Sequence, residues 1–193
     1  MSDDVIKLPE VNLLDTFPLL KSIHNRRSVR KFNGDPITVA ELSALLWSCQ
    51  GITDNARSLR AAPSAGACFP FSAYVVMEQG VYRYEPEEHS LLLHNEGDKR
   101  NDLTKVSLDQ NAILLAGAVV VLSYDKTKLE PRYQDRAFRY ACIEAGHIAQ
   151  NALLVTESLG LAAVVIGAYH DDFVKDVLSI NGDPIYMVAI GRV

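Results

Sequence analysis

Cysteine is scarce in this sequence, with only Cys49, Cys68 and Cys142, each far from the others. An odd number at this spacing is typical neither of a disulfide framework nor of a zinc site, and it favours a reducing compartment. Long hydrophobic runs are lacking as well. Residues 110–124, an apolar stretch without a charged side chain, are fewer than the ~20 that a membrane-spanning helix needs. The first residues have neither the basic nor the apolar region of a signal peptide, so we expect a cytoplasmic protein with no membrane partner.

An excess of positive charge is also absent. The chain has 19 Lys and Arg against 24 Asp and Glu, a net charge of −5, so nucleic acid is not an expected partner. Hydrophobic residues make up 48% and charged residues 22%, the ordinary mix of a globular protein. For 193 residues we expect a single domain over residues 16–193, preceded by a loose N-terminal arm over residues 1–15.

Several catalytic motifs are missing. No two glycines are two positions apart, which excludes the G-x-G dinucleotide fingerprint, and there is no P-loop, H-E-x-x-H or G-x-S-x-G sequence. Glu144 and His147 form a single Glu-x-x-His pair, whereas a di-iron bundle needs two such pairs and two further carboxylates. We therefore predict no metal site, and a hydrogen-bonded His147 inside a crowded helix.

Helical and strand patterns are mixed without strict alternation, which favours an α+β fold over a doubly wound one. Thr38 and Glu41 have the spacing of a capping box. Apolar residues surround most of the segment 136–159, which predicts a helix that is central or lies in a subunit interface. The predicted helices are 17–25, 38–51, 99–108, 136–159 and 171–178, and the predicted strands are 73–77, 81–84, 91–94, 118–123, 162–166 and 185–190. Residues 53–72 have the composition of a loop.

The strongest local signal is the run Arg26-Arg27-Ser28-Val29-Arg30. In an extended segment Arg26, Ser28 and Arg30 point to the same side, and two guanidinium groups with a hydroxyl suit a phosphate. The alternative is a solvated basic turn. Mutual repulsion of clustered arginines in an acidic chain, and the tight turn after Phe32, argue against it.

Three further segments are weaker signals. Small residues between prolines at 60–70 would let the backbone approach a flat ligand, although an ordinary loop is the favoured interpretation of these residues by themselves. Ile166-Gly167-Ala168 follows a predicted strand, where backbone N–H groups could face a ligand. Gly191-Arg192 follows the last predicted strand, where an arginine is more often solvated.

Together and in this order, these segments resemble the flavin (FMN)-dependent nitroreductase family, and within it the short SagB-type dehydrogenase-like branch. The matching stretches are Arg-Arg-Ser-Val-Arg at 26–30, Leu-Leu-Trp-Ser-Cys-Gln-Gly-Ile at 45–52, Ala-Pro-Ser-Ala-Gly-Ala at 62–67, Val-Tyr-Arg-Tyr at 81–84, Arg-Tyr-Ala-Cys-Ile-Glu-Ala-Gly-His-Ile-Ala-Gln-Asn at 139–151 and Val-Ile-Gly-Ala-Tyr-His-Asp-Asp at 165–172. The resemblance covers about residues 20 to 193.

The resemblance implies a central, mainly antiparallel sheet flanked by helices, in an intertwined homodimer with an FMN at each of two interface sites. It places the phosphate at Arg26 and Ser28, with Arg27 beside them, and directs Arg30 toward the ribityl chain and the pyrimidine edge. A loop of the other subunit lies over the flavin ring, and a backbone segment meets the ring near N5. The loop consists of Pro63, Ser64, Ala65 and Gly66, the backbone segment of Val165, Ile166, Gly167 and Ala168, and a C-terminal phosphate contact of Gly191 and Arg192.

The activity that the resemblance implies is ping-pong hydride transfer from NADH or NADPH through FMN to an electron-poor small molecule, such as a nitroaromatic or a quinone. No side chain is assigned as catalytic, because the flavin carries the hydride chemistry, and Cys68 and Tyr133 are candidates for the acceptor pocket. Two alternatives stay open, a SagB-like dehydrogenase of a peptide heterocycle and a flavin-binding module without turnover. Azoline-oxidising members carry a Lys-Tyr pair before the long helix, where this chain has Arg132-Tyr133.

Overall fold

A central antiparallel sheet organises the computed structural model, which describes residues 4–12 and 17–193. The strands in these residues are β1 Val5–Lys7, β2 Ile52–Asp54, β3 Leu59–Arg60, β4 Phe71–Met77, β5 Gly80–Glu85, β6 Ser90–Glu96, β7 Ala118–Tyr124, β8 Ala162–Ile166 and β9 Asp183–Gly191. Seven of them form one sheet in the order β1-β6-β5-β4-β7-β9-β8, and β2 and β3 form a separate hairpin. Each pair of neighbouring strands is antiparallel.

Helices cover both faces of the sheet. In the described part of the chain they are α1 Leu19–Asn25, α2 Val39–Gln50, α3 Arg100–Val106, α4 Asn111–Leu114, α5 Glu130–Tyr133, α6 Ala137–Ser158 and α7 Asp171–Leu178. The buried side chains of α2 and α6 pack on one face, and those of α3, α4 and α7 pack on the other. The predicted α+β class with a mainly antiparallel sheet is therefore confirmed.

The strand β7 shows why the core lies on both faces. All of its seven residues are buried, because it is central and its β-branched side chains alternate between two helical layers. Val120 and Leu122 pack toward α6, whereas Val119 and Val121 pack toward α3 and α7.

The capping box that starts α2 is present. The Glu41 N–H donates to the Thr38 Oγ1 at 3.2 Å, and the Thr38 N–H donates to the Glu41 carboxylate at 2.7 Å. Helix α6 is one continuous element of 22 residues, as its apolar pattern predicts, and the β4–β5 hairpin forms around residues 78–79.

Two sequence predictions need correction. The arm over residues 1–15 is not loose at Val5–Lys7, which pair with residues 90–92 of β6, and the adjacent Leu8 is buried. Three residues carry too little periodicity to signal a strand whose partner is more than eighty positions away. The segment 53–72, predicted as a loop, contains most of the β2–β3 hairpin. Residues 1–3 and 13–16 lie outside the described residues.

No helix in the described ranges is both long enough and apolar enough to cross a membrane.

Candidate functional site

The arginine-rich segment follows α1 and lies beside the edge strand β8. Ser28 forms a parallel bridge with Ala163, and the Val29 N–H donates to the Ala163 carbonyl oxygen at 2.9 Å. The backbone is therefore extended at this point, and in an extended segment alternate side chains share a side. This is the conformation that the sequence prediction for Arg26, Ser28 and Arg30 requires.

The arginines of this segment differ in what holds them. Arg27 donates through Nη1 to the carbonyl oxygens of His24 and Arg26, at 2.9 and 2.8 Å, and so satisfies carbonyl groups at the end of α1. The guanidinium groups of Arg26 and Arg30 have no hydrogen bond or ion pair within residues 4–12 and 17–193. These two cations are available to an external anion, whereas Arg27 serves the helix.

The C-terminal strand fixes the position of this segment. Phe32 is buried and packs on Gly191, where a Cβ atom would lie 2.8 Å from the Phe32 ring. The Asn33 N–H donates to the Arg192 carbonyl oxygen at 2.9 Å. Gly191, a predicted cofactor residue, therefore acts as a packing residue for the turn that follows the arginines.

The Arg192 side chain is paired within the chain. Its Nη2 lies 2.8 Å from both carboxylate oxygens of Glu41, the same carboxylate that completes the capping box with Thr38. Burial pushes the pKa of Glu41 up, but hydrogen bonds from Thr38 and Arg192 outweigh it and hold that pKa below its usual value. Arg192 thus joins β9 to the start of α2, in contrast to Arg26 and Arg30, whose guanidinium groups have no partner in the described part of the chain.

The other end of β8 presents free backbone. Val165 and Ile166 are the last two residues of the strand, and Gly167 and Ala168 after it are exposed. In the described part of the chain, no backbone carbonyl accepts from the N–H of Gly167 or Ala168. They belong to the segment whose backbone, as the family resemblance implies, meets the flavin ring near N5.

The loop of Pro63, Ser64, Ala65 and Gly66 lies against the first half of α6 and leads into a strained turn. The φ angles of Gly66, Ala67 and Phe69 are 60°, 53° and 44°. Only glycine adopts such angles freely, and strained non-glycine residues cluster at binding sites because their surroundings must hold them in place.

Three contacts hold this loop. Arg132 donates through Nη1 to the Gly66 carbonyl oxygen at 3.3 Å, and Lys128 donates to the Phe69 carbonyl oxygen at 3.3 Å. The Ser64 hydroxyl oxygen accepts from the Phe69 N–H at 2.9 Å. The loop therefore depends on side chains from the segment just before α6.

Both predicted acceptor-pocket residues lie at Gly66. A Cβ atom on Gly66 would lie 2.5 Å from the Tyr133 hydroxyl oxygen and 2.5 Å from the Arg132 guanidinium, so a side chain at this position would displace the ends of both. The Tyr133 ring is held edge-on to Tyr140 at 4.9 Å. Cys68 is half-buried, with its sulfur 3.8 Å from the Gly66 carbonyl oxygen.

Glu144 is a residue that the sequence reasoning considered only as a metal ligand. It lies on the inner face of α6, is 2% exposed, and neither of its carboxylate oxygens has a hydrogen-bond partner in the described part of the chain. Burial raises the pKa of Glu144 to about 7, against the opposite pull of the nearby Ser64 hydroxyl and of the charges on Arg60 and Lys128. Sequence alone could not reveal this, because the burial depends on how the loop packs against α6.

His147 is exposed on the outer face of α6, so the prediction of a histidine inside a crowded helix is wrong. Residues three apart on a helix share a face only approximately, and here one is buried and the other is in solvent. Among residues 4–12 and 17–193, no group of three or more His, Cys, Asp and Glu side chains could hold a metal ion.

The predicted cofactor residues form two separate groups on one chain. The β8 edge, defined as Arg26, Ser28, Arg30, Gly167 and Ala168, runs along the outer strand of the sheet. The α6 loop, defined as residues 63–66, precedes β4, and β9 and β7 lie between β4 and β8. At a spacing of about 4.8 Å per strand, the two strands are about 14 Å apart. Because the arginines also lie at the far end of β8, one chain does not bring its α6 loop to its own arginines.

Comparison with known proteins shows which family has this architecture. The sequence model of the nitroreductase family matches residues 23–192. A protein of Methanocaldococcus jannaschii named as a nitroreductase is 35% identical over 193 residues, covering 97% of this chain and 96% of that protein. A crystal structure from Ralstonia eutropha, described as a nitroreductase, has a TM-score of 0.87 at 28% identity, covering 99% of this chain and 90% of that one. The chain belongs to the nitroreductase family, as the sequence resemblance predicts.

A more distant structure shows the same fold. It is the NADPH:FMN oxidoreductase of Vibrio harveyi complexed with NAD⁺, which has a TM-score of 0.64 at 23% identity. The match covers 90% of this chain and 68% of that one.

The β8 edge fits an FMN. A phosphate needs cations or N–H donors that are not already paired, and within the described ranges Arg26 and Arg30 meet this condition. From Ala163 to Gly167 the backbone extends about 13 Å. The edge therefore suits an elongated ligand with an anion at one end and hydrogen-bond acceptors at the other.

Proposed function

We propose that this protein is an FMN-dependent oxidoreductase that takes a hydride from NADH or NADPH and passes it to an electron-poor small molecule such as a quinone or a nitroaromatic. The observation that carries the proposal is the β8 edge, where, as far as residues 4–12 and 17–193 show, unpaired Arg26 and Arg30 stand at one end and the free N–H groups of Gly167 and Ala168 at the other. Family membership supports it.

Bound FMN would supply the hydride chemistry, while this chain supplies binding and electrostatics. Arg26, Ser28 and Arg30 would hold the anionic end of the ligand by charge-assisted hydrogen bonds. The N–H groups of Gly167 and Ala168 would donate to acceptor atoms of the ring.

We further propose a homodimer in which the α6 loop of one chain completes the β8 edge of the other. The separation of the two groups on a single chain supports this arrangement. So do the exposed apolar side chains of Leu19, Leu20 and Ile23 on α1 and of Phe138 and Ile143 on α6. Helix α1 packs against α6, so these side chains lie on neighbouring helices, and exposed apolar surface on adjacent elements is what a subunit interface would cover.

The first test is the spectrum of the fresh protein, followed by anaerobic mixing with NADH or NADPH. We expect a flavin absorbance band that bleaches with one of the two donors and returns when a quinone is added. A protein that cannot be loaded with FMN refutes the proposal, and one that keeps oxidised FMN with both donors is a flavin-binding module without turnover.

The second test concerns the shared sites. A mixed dimer of one Arg26→Ala chain and one Gly66→Ala chain has one site with both defects and one site with neither if arginines and loop come from different chains. We expect such a dimer to bind one FMN with wild-type affinity. If each site uses a single chain, both sites carry one defect, and no wild-type binding is seen.

A second candidate function is oxidation of a peptide heterocycle, since Arg132 and Tyr133 lie at Gly66 on the α6 loop. The observation that weakens it is the guanidinium itself. Arginine stays charged and cannot act as a base, whereas the Lys-Tyr pair of azoline-oxidising relatives can. A loss of two hydrogens from a thiazoline peptide, measured by mass spectrometry with the holoprotein, would favour this alternative.

A further inference from the structure

We propose that a polar cleft on the sheet face that carries α3, α4 and α7 is a second binding site, which takes an uncharged polyhydroxy compound of the size of a monosaccharide. This hydroxyl cleft is defined by Ser72, Tyr74, Arg83, Ser123, Lys126 and Lys175. Among the described residues that line it, none belongs to the β8 edge or to the α6 loop. The proposal is therefore independent of the proposed function.

Strand register builds the floor of the hydroxyl cleft. Ser72 of β4 lies directly opposite Ser123 of β7, and Tyr74 of β4 lies directly opposite Arg83 of β5. Since side chains two apart on a strand share a face, all four lie on the same face of the sheet. Tyr74 packs with the core on the side of α3, α4 and α7, so the cleft opens on that side and not on the side of α6.

The helical layer covers the apolar part of this face. Val76, Val119 and Val121 pack with buried side chains of α3, α4 and α7, whereas Ser72 and Ser123 face a cleft of about 590 Å³. This volume is within the range of small-molecule sites, which are concave and have a few convergent polar groups.

The hydroxyl groups of the floor lack partners. Ser123 and Tyr74 are only 3% and 7% exposed, yet their hydroxyl oxygens remain open to the cleft. Within residues 4–12 and 17–193, the hydroxyls of Ser72, Tyr74 and Ser123 form no hydrogen bond. Burial raises the pKa of Tyr74, so this hydroxyl keeps its proton. Polar groups on buried residues are hydrogen-bonded as a rule, so these three call for a partner from outside the chain.

Gly182 keeps the Ser123 hydroxyl reachable. A Cβ atom on Gly182 would collide with the Ser123 hydroxyl oxygen and would lie 2.7 Å from the Tyr124 carbonyl oxygen. Because Gly182 itself lines the cleft, a side chain at this position would cover the hydroxyl that a ligand must reach.

The charges in and beside the hydroxyl cleft disfavour an ionic ligand. Arg83 pairs with Glu85 at 2.5 Å, and Lys175 pairs with Asp183 at 3.0 Å. An anion would have to displace these pairs, and a cation would meet carboxylates that are already satisfied. Three cations and four carboxylates are present in all, namely Arg83, Lys126, Lys175, Glu85, Asp125, Asp172 and Asp183.

A polyhydroxy compound matches the groups that remain. Each hydroxyl of such a ligand can donate one hydrogen bond and accept two, as can the hydroxyls of Ser72, Tyr74 and Ser123. Lys126, which has no ion pair in the described part of the chain, adds a donor. An apolar ligand would instead leave the floor hydroxyls without partners and shielded from water, which costs binding free energy.

The test is an amide NMR titration of the full-length protein with glucose, ribose and myo-inositol, up to about 100 mM because sites of this polarity bind weakly. We expect at least one of these compounds to shift the amide signals of residues 72–74, 123–127 and 181–183. Glucuronate, which adds a carboxylate to the glucose ring, should bind more weakly than glucose at constant ionic strength. The shifts should be the same in FMN-free protein and after addition of FMN.

Serine variants assign the binding to the floor hydroxyls. Ser123→Ala should weaken binding by about 2- to 10-fold, as expected for one lost hydrogen bond, and Ser72→Ala at a half-buried position should do the same if Ser123→Ala does not fold. Ser107→Ala is the matched control, because Ser107 is also buried without a hydrogen-bond partner in the described ranges but does not line the cleft. It should bind as the wild type does.

Four results would overturn the proposal. They are no shift with any of the three compounds, shifts confined to other parts of the chain, glucuronate binding as tight as that of glucose, and binding that both Ser72→Ala and Ser123→Ala leave unchanged. A protein that binds no FMN but shows the expected shifts refutes the proposed function and leaves the hydroxyl cleft in place.

Discussion

Replacing Glu144 by glutamine should make the protein more stable at alkaline pH and leave it almost unchanged at acid pH. The folded pKa of Glu144 is raised above its ordinary value of 4.5 to about 7, so the folded state binds the proton more tightly than the unfolded chain does. A group of this kind contributes its full stability below pH 4.5 and loses it as the pH rises to about 7. With about 1.4 kcal/mol per pH unit, the wild type loses about 3 kcal/mol from this one carboxyl.

Urea denaturation of the FMN-free protein at pH 5 and pH 8.5, at a fixed protein concentration, measures this difference. Glutamine keeps the shape and the donor of the neutral acid but has no charge to bury, so the free energy of unfolding of Glu144→Gln should exceed that of the wild type by about 3 kcal/mol at pH 8.5. Glu157→Gln, a half-exposed change on the same helix, should show no such difference. A stability gap between Glu144→Gln and the wild type that is equal at both pH values would refute the reasoning.

Three further predictions concern other parts of the molecule. Arg26→Ala should weaken FMN binding by about 1.5–3 kcal/mol because it removes a charge-assisted contact, and equilibrium titration against the exposed control Arg57→Ala checks this. Gly66→Ala should destabilise the fold by more than Gly97→Ala does. Both glycines have positive φ, but of the two only Gly66 has other atoms within 4 Å of where an added Cβ would lie. Equal shifts of the two melting temperatures would show that no collision occurs at position 66. Burial lowers the pKa of His89, whose ring nitrogen lies 2.8 Å from the Tyr84 hydroxyl oxygen, so neutral His89 stabilises the fold above pH 6.5 and this stabilisation is lost on acidification. The free energy of unfolding of His89→Gln should therefore fall less steeply between pH 6.5 and 4.5 than that of the wild type. An equally steep fall in both proteins would contradict this.

The sequence predicted the helices and strands whose residues follow a recognisable short-range pattern. The Thr38 cap, the valine-rich β7 and the long α6 are each encoded within a few neighbouring residues. The strand Val5–Lys7 was not predictable, because it exists only through pairing with β6.

In the candidate site, too, features set by neighbouring residues were predictable and features set by tertiary packing were not. The backbone at Ser28 is extended, which is the condition under which the sequence places Arg26, Ser28 and Arg30 on the same side. The pairing of Arg192 with Glu41, 151 residues away, joins two segments whose proximity no sequence pattern encodes. The burial of Glu144 is likewise a property of tertiary packing, and the sequence singles out Glu144 only as part of a Glu-x-x-His pair, for which it predicts no metal site.

Several groups in the described part of the single chain lack partners, and together they support the proposal that a ligand and a second subunit bind here. Among the residues that the structure describes, Arg26 and Arg30 lack an anion, the N–H groups after β8 lack acceptors, and the apolar side chains on the outer faces of α1 and α6 lack cover. A phosphate-bearing ligand satisfies the first two, and a second copy satisfies the third while bringing an α6 loop toward the β8 edge. If this is correct, ligand and partner stabilise each other, since each completes contacts that the other needs. Adding FMN should therefore shift a monomer–dimer equilibrium toward the dimer in sedimentation experiments. A dimer dissociation constant unchanged by FMN would show that FMN binding and dimerisation are independent.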